Sequence, residues 1–208
     1  MTKILNINKL SKEAIETIHR YLQMGKVIAY PTDTIYGLGV DICNEEAAQK
    51  LFNIKDRKIQ NPVSILYPDK SRLFDNFPGL NDYQRNFVEK LLPGQITLLL
   101  PVPKNSNLLP YFRKDGFTGV RVVEHAKMNQ ILSQYKHPIS TTSINPSGEE
   151  PANTIEEILN YFTDKIKLIL YDQRDHKTIP STIIKVTKSH YNILRKGAIS
   201  QVEIENSL

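Results

Sequence analysis

The chain has 208 residues, 40% of them hydrophobic and 24% charged, which is the composition of a folded globule and excludes an intrinsically disordered chain. At about 150 residues per domain it has room for one or two domains, and its single cysteine, Cys43, excludes a disulfide-stapled scaffold and any zinc site with paired Cys or Cys/His spacing. A net charge of +5, from 27 basic and 22 acidic residues, favours an anionic partner such as a nucleotide or RNA.

The N-terminal segment Met1-Thr-Lys-Ile-Leu-Asn-Ile-Asn is too short in apolar residues for a signal peptide, and no window approaches the roughly 18 apolar residues of a membrane span. A cytoplasmic protein is expected. Ser11 to Met24 places Ile15, Ile18 and Leu22 at helical spacing, with Ser11 as N-cap and Gly25 as stop. Val27-Ile-Ala-Tyr30 reads as a buried strand. Asn44 opens a second helix with Glu45 and Glu46 in its first turn and Ala48, Leu51 and Phe52 on its inner face. A strand at 63–67 follows, and a helix from Asn81 or Asp82 to about Leu92 is closed by Pro93-Gly94. Ile96 to Leu100 is the next strand, ending at Pro101, and residues 103 to 118 read as a loop. Short strands at 120–123 and 139–143 flank a helix near 126–134. Thr154 and Glu157 make a capping box for a helix to about Phe162. Strands at 167–171, 182–186 and 192–194 complete the pattern, and the tail after Gln201 is too short to fold alone. Alternating helices and strands without repeats or a linker predict one α/β domain around a twisted, mixed sheet. Cys43 itself is expected to be a small buried hydrophobe.

Neither Gly-x-x-x-x-Gly-Lys-Ser/Thr nor Gly-x-Gly-x-x-Gly occurs, so a nucleotide must be held another way. The histidines at 19, 125, 137, 176 and 190 show no metal-ligand spacing, and no Gly-x-Ser-x-Gly is present. Instead, polar side chains recur two residues apart in segments that should be extended, where both project from one face. Thr32, Thr34 and Tyr36 do this after the first buried strand, followed by Lys55 and Arg57 and by Ser143 and Asn145. Arg121 and Arg195 each end a strand near a glycine. Arginine is scarce, 8 of the 27 basic residues, so its placement is informative. Arginine forks and a lysine charge suit a polyphosphate, while hydroxyls and an amide suit a small polar co-substrate. Together they would line one crevice at the sheet edge.

Seven ordered segments carry a resemblance: Tyr30-Pro-Thr-Asp-Thr-Ile-Tyr-Gly-Leu-Gly39, Lys55-Asp-Arg57 with Asn61-Pro62, Pro93-Gly94-Gln-Ile-Thr97, Val120-Arg121, Ser143-Ile-Asn145 with Ser147-Gly148, Ser181-Thr182, and Leu194-Arg-Lys-Gly-Ala-Ile199. In that order they resemble the YrdC family of threonylcarbamoyl-adenylate synthases over about residues 10–200. The resemblance implies a YrdC-type α/β fold, an open twisted mixed sheet with a basic concave cavity, and a reaction of L-threonine, bicarbonate or CO2, and ATP that yields threonylcarbamoyl-AMP and pyrophosphate. A partner transferase would use that intermediate to modify tRNA. By position, Thr34, Arg121, Thr141 and Ser181 would contact threonine, while Lys55, Arg57, Asn61, Ser143, Asn145 and Arg195 would surround ATP. Lys55 and Arg57 would be the catalytic cations, with Mg²⁺ accompanying ATP and no protein metal ligand named.

Few residues follow Gln201, so the short form is expected, with residues 1–208 as a single YrdC-like domain. The loop from Pro103 to Thr118 is the expected moving cover for labile intermediates. Some positions depart from the family pattern. Val123 stands where a proline is usual, Phe117 occupies the place of an ATP-contacting threonine with Thr118 one residue late, and Leu66 stands where some members have a histidine. His125 is read as structural. The rival expectation is a non-catalytic protein that binds tRNA or other duplex RNA through shape and phosphates.

Overall fold

Capping side chains start the helices where the sequence places them. Ser11 Oγ accepts the Ala14 N–H to open α1 (Lys12–Gln23), and Asn44 Oδ1 accepts the Ala47 N–H to open α2 (Glu45–Ile54). Reciprocal capping boxes open α4 (Asp82–Leu91) through Asn81 and Gln84 and α6 (Ile155–Phe162) through Thr154 and Glu157. His125 caps α5 (Ala126–Ser133) with its ring nitrogen, 3.3 Å from Met128 N, and faces Asp172 on its other side at 3.3 Å. It is structural, as expected. The computed structural model describes residues 2–173 and 179–208; His176 lies outside them.

Three elements are additional to the sequence reading: strands β1 (Lys3–Asn6) and β3 (Gly37–Gly39), and helix α3 (Lys70–Asn76). The tail also folds. Ser200 and Glu203 form a capping box for α7 (Gln201–Ser207), whose Ile204 is fully buried beside α4. The short segment is stable in place because it docks an apolar side chain on an existing core, not because it folds alone.

The remaining strands are β2 (Ile28–Tyr30), β4 (Ser64–Leu66), β5 (Ile96–Pro101), β6 (Phe117–Arg121), β7 (Ile139–Ser143), β8 (Leu168–Tyr171), β9 (Thr182–Val186) and β10 (Tyr191–Arg195). The ten strands among the described residues form one mixed sheet in the order β1-β8-β2-β3-β7-β4-β6-β5-β9-β10. Parallel pairs such as β4/β6 and β5/β9 sit beside antiparallel ones such as β5/β6 and β4/β7.

Strand alternation divides the apolar residues between two cores. Val27, Ala29, Ile65, Leu98 and Ile184 join the core beneath α2, α3, α4, α6 and α7. Ile28, Tyr30, Leu66 and Leu168 point the other way, into a smaller core with Ile18 and Leu22 of α1 and Met128 and Leu132 of α5. That second core takes nothing from β5, β9 or β10. The face is therefore helix-covered over one half of the sheet and bare over the other. Leu66 sits in the covered half with no exposure, where it packs like any core leucine.

Among the described residues no helix is long and apolar enough to cross a membrane.

Candidate functional site

The bare half of the sheet is a polar cleft of about 660 Å³. Its floor follows from alternation. On β6, Phe117, Gly119 and Arg121 share the cleft face, while Thr118 and Val120 point into the core. Thr118 is 1% exposed and its hydroxyl has no partner. It cannot reach a ligand in the cleft, and Phe117 presents its ring there instead. Gly119 is required for room: a Cβ at that position would lie 2.4 Å from Ser64 Oγ.

Thr34, Arg57, Arg121, Thr141, Ser143, Ser181 and Arg195 all line this cleft, together with Thr32, Tyr36, Ser64 and Thr97. Arg57 and Arg195 also line an adjoining space of about 1120 Å³, with Asn61, Lys114, Phe117, Lys185 and Leu194. There the ammonium of Lys185 stands over the Phe117 ring, 4.1 Å from its centroid. The two spaces share a wall of Arg57, Pro62, Val63, Ser64, Ile183 and Arg195. One is hydroxyl-lined and holds a buried arginine, and the other combines an aromatic face with cations.

Arg121 is held in place from one side. Its Nη2 donates to Asp33 Oδ1 at 2.7 Å and to Thr34 Oγ1 at 3.3 Å, while its Nε is buried without a partner. Asp33 is fixed in turn by the Glu124 N–H at 2.9 Å and by Gln95, whose side chain donates to its carbonyl. Thr32 and Thr34 hydroxyls lie 3.1 Å apart, with Thr32 donating to Ile35 O at 2.7 Å. The result is a rigid guanidinium in a ring of hydroxyls, a receptor for a carboxylate.

Arg195 reaches the cleft through an irregularity. The β9/β10 register shifts between Ile193 and Arg195, and such a bulge re-aims the side chain that strict alternation would send elsewhere. Its guanidinium donates to Ser181 O at 2.8 Å and Ser181 Oγ at 3.2 Å, and Ser181 Oγ pairs with Thr97 Oγ1 at 2.8 Å. Gly197 permits this approach, since a Cβ there would lie 2.4 Å from Pro180 O. Burial, then Arg121 and Arg57, lower the pKa of Arg195. The guanidiniums repel one another across the cleft, so a bound anion would relieve that repulsion.

Lys55 and Arg57 do not lie side by side on an extended segment. Lys55 has helical backbone angles at the end of α2, and Asp56 adopts a left-handed φ of 50°, so the turn sends the two side chains apart. Arg57 faces the cleft, its Nε donating to Asn61 O at 2.6 Å and its Nη2 to Pro62 O at 3.1 Å. Lys55 is 1% exposed. Its Nζ donates to Ser143 O and Asn145 O, and its carbonyl accepts the Ser147 N–H at 2.8 Å. Asn145 faces away as well, its amide donating to Pro146 O at 3.0 Å and Glu149 O at 2.6 Å. Neither residue lines the cleft; together they hold the turn that carries Ser143.

Two sequence expectations change. Residues 103–118 are not a free cover: Phe112 is fully buried, Tyr111 O accepts the Val63 N–H at 3.0 Å, and 117–118 belong to β6. Its first part lines a separate cavity with Cys43, Tyr67 and Phe77. Cys43 is exposed rather than buried, because it follows Asp41 in a tight turn at the surface.

Ser64, Lys114 and Lys185 line the two spaces and Asp33 holds Arg121, and the sequence reading gives none of the four a role. For Ser64 and Lys185 the signal is alternation, since each is the polar residue on the opposite parity from Ile65 or Ile184.

The sequence pattern of the Sua5/YciO/YrdC family, described as "Telomere recombination", matches residues 20–197. The chain is 32% identical over 171 residues to the threonylcarbamoyl-AMP synthase of Idiomarina loihiensis, covering 81% of this chain and 91% of that one. It is 30% identical over 164 residues to the synthase of the same name from Cellvibrio japonicus, covering 78% and 85%. Among solved structures, P. abyssi Sua5 complexed with L-threonine superposes with a TM-score of 0.88 at 25% identity. That match covers 100% of this chain and 61% of the Sua5 chain, so the present chain spans about three fifths of its length. E. coli YciO shares the fold with a TM-score of 0.84 at 23% identity, over 98% and 99% of the two chains.

Proposed function

The chain belongs to the Sua5/YciO/YrdC family, and on that premise we propose that it is a nucleotidyltransferase that makes L-threonylcarbamoyladenylate and pyrophosphate from L-threonine, bicarbonate or CO2, and ATP. The observation that carries this reading is the pairing of two unlike subsites across one wall: a buried guanidinium ringed by hydroxyls, and a cationic space with an aromatic face.

Threonine's carboxylate pairs with Arg121, whose orphaned Nε is a donor still to be satisfied. Thr34, Thr141 and Ser181 present hydroxyls to its polar groups. Threonine's neutral amine adds to CO2 to form a carbamate, losing one N–H proton to water; a carbamate oxygen then attacks the α-phosphorus, the α–β phosphoanhydride bond breaks and pyrophosphate leaves. The attacking oxygen is already anionic, so the phosphoryl-transfer step needs no general base. Arg57 and Arg195 stabilise the charge that grows on the leaving group. Asn61 belongs to the nucleotide subsite. Lys55 acts behind it, positioning Ser143 and adding its charge to the field, and Asn145 braces the same turn.

Mg²⁺ fits as an ion carried by the nucleotide's phosphates. Among the described residues Asp115 is the one carboxylate lining either space, so water and phosphate oxygens supply most ligands. On this reading the product passes to a threonylcarbamoyl transferase that modifies tRNA, and the cytoplasm is the compartment we propose for it. We read the one sheet as a single working domain. Duplex RNA binding as the sole role gains no support, because the arginines converge inside a cleft.

Pyrophosphate release tests the reading. It should require ATP, threonine and bicarbonate together, and release that persists without threonine would overturn it. Arg57→Ala should lower turnover about 10²- to 10³-fold, while Lys188→Ala, which changes the same net charge outside the cleft, should leave it within about twofold. Equal losses would mean that general charge and not the site drives the reaction.

A further inference from the structure

On the surface away from the cleft, Asp41, Cys43 and His137 come together although 96 residues separate the first from the last. Their candidate ligand atoms all lie within 4.8 Å of one another. Asp41 is the centre of the group. Its Oδ1 accepts the Cys43 N–H at 2.8 Å, and its Oδ2 accepts from the Tyr135 hydroxyl at 2.7 Å and stands 2.9 Å from His137 Nδ1. Its side chain is 8% exposed and that of His137 32%, and Cys43 is open to solvent. The group is thus open to solvent on the Cys43 and His137 side.

We propose that Asp41, Cys43 and His137 form a site for a thiophilic divalent cation of the Zn²⁺ class, separate from any Mg²⁺ that arrives with ATP. One sulfur, one imidazole nitrogen and one carboxylate oxygen are the ligand types Zn²⁺ prefers, and water fills the fourth tetrahedral position. Mg²⁺ and Ca²⁺ select all-oxygen shells and are excluded by the thiol and the ring. Binding releases the Cys43 thiol proton to solvent, and the Nδ1 proton that His137 now shares with Asp41 Oδ2 moves to Nε2 or to solvent, so that Nδ1 can ligate. Tyr135 stays on Asp41 as the supporting donor that orients the carboxylate.

The site's place in the fold gives it a structural task. Asp41 pairs with Ile139 across a β-bridge, and Ile42 N–H reaches Pro138 O at 3.4 Å. One of these segments leads into α2, which is followed by Lys55 and Arg57, and the other leads into β7, which ends at Ser143. The ion would fasten the starts of both elements about 15 Å from the cleft their other ends build.

Titration of the metal-free full-length protein with Co²⁺ tests this. A thiolate-to-cobalt charge-transfer band and tetrahedral ligand-field bands are expected, saturating at one equivalent and bleached by Zn²⁺. Because Cys43 is the single cysteine, the charge-transfer band reports on it alone, and Cys43→Ser should abolish it while circular dichroism is unchanged. His137→Ala should weaken Co²⁺ affinity at least about tenfold. Absence of the bands, saturation at half an equivalent, or full affinity in His137→Ala would overturn the proposal.

Discussion

Replacing Arg121 with methionine is expected to lower kcat/KM for threonine about 10²- to 10³-fold, the cost of removing one partner of a buried, hydrogen-bonded charge pair. The same change should lower folding stability by about 3–5 kcal/mol. Arg121 and Asp33 side chains are 8% and 6% exposed, and their contact is 2.7 Å. Methionine fills the volume of the aliphatic stem but leaves Asp33 buried, with Glu124 N–H as its remaining side-chain donor. The two effects are separable. Adding Asp33→Asn neutralises the stranded carboxylate and should recover much of the stability by urea unfolding, yet none of the activity, because no guanidinium faces the substrate. Recovery of both would mean that Arg121 is only a structural counter-ion. Arg121→Lys should behave nearly as badly in turnover, since an ammonium cannot bond Asp33, Thr34 and a carboxylate in one plane.

Lys55→Met is expected to reduce pyrophosphate release about 10²-fold without exposing a new surface, although Lys55 does not line the cleft. The ammonium is sealed against the carbonyls of Ser143 and Asn145, and its loss leaves both acceptors without that donor and frees the turn. Burial first, and the Arg57 charge second, push the Lys55 pKa from its usual 10.5 down to about 7. The sign of the stability effect follows. Between pH 7 and 10.5 the unfolded chain holds a proton that the folded chain has released, so unfolding free energy gains a rising component with pH across that window. Below it both states are protonated and the full penalty applies. Nearby phosphates would draw the proton back, so ATP binding near about pH 8 should take up a proton. Calorimetry in buffers of different ionisation enthalpy should show that uptake in the natural protein and not in Lys55→Met. Equal uptake in both would place the proton elsewhere.

Much of this was readable from the chain because local chemistry and tertiary position agree. Ser11, Asn44, Asn81 and Thr154 cap helices in the structure with the side-chain bonds their sequence context predicts. Arg57, Arg121 and Arg195 converge as their placement at segment ends suggested. The missed elements lack such agreement. The Gly-Leu-Gly of β3 has no β-branched residue, and α3 buries one side chain, Leu73, too few to make a period. For α7 the signal was present in Ser200 and Glu203, but its stability comes from docking Ile204 on a distant core. Lys55 illustrates the other limit: spacing gives a side chain's neighbours along the chain, whereas one left-handed residue, Asp56, decides where it points. Asp41, Cys43 and His137 carry no motif at all, because sheet pairing between β3 and β7 is what brings their segments together.

The chemistry itself is tested most directly by mass spectrometry of the adenylate formed from ATP, L-threonine and ¹³C-bicarbonate. A threonyl adduct of AMP that carries one additional carboxyl, labelled with ¹³C, is the predicted product. An adenylate of the mass of threonyl-AMP, or AMP and pyrophosphate with no adduct when hydrolysis is quenched, would contradict carbamate attack on the α-phosphorus in this cleft.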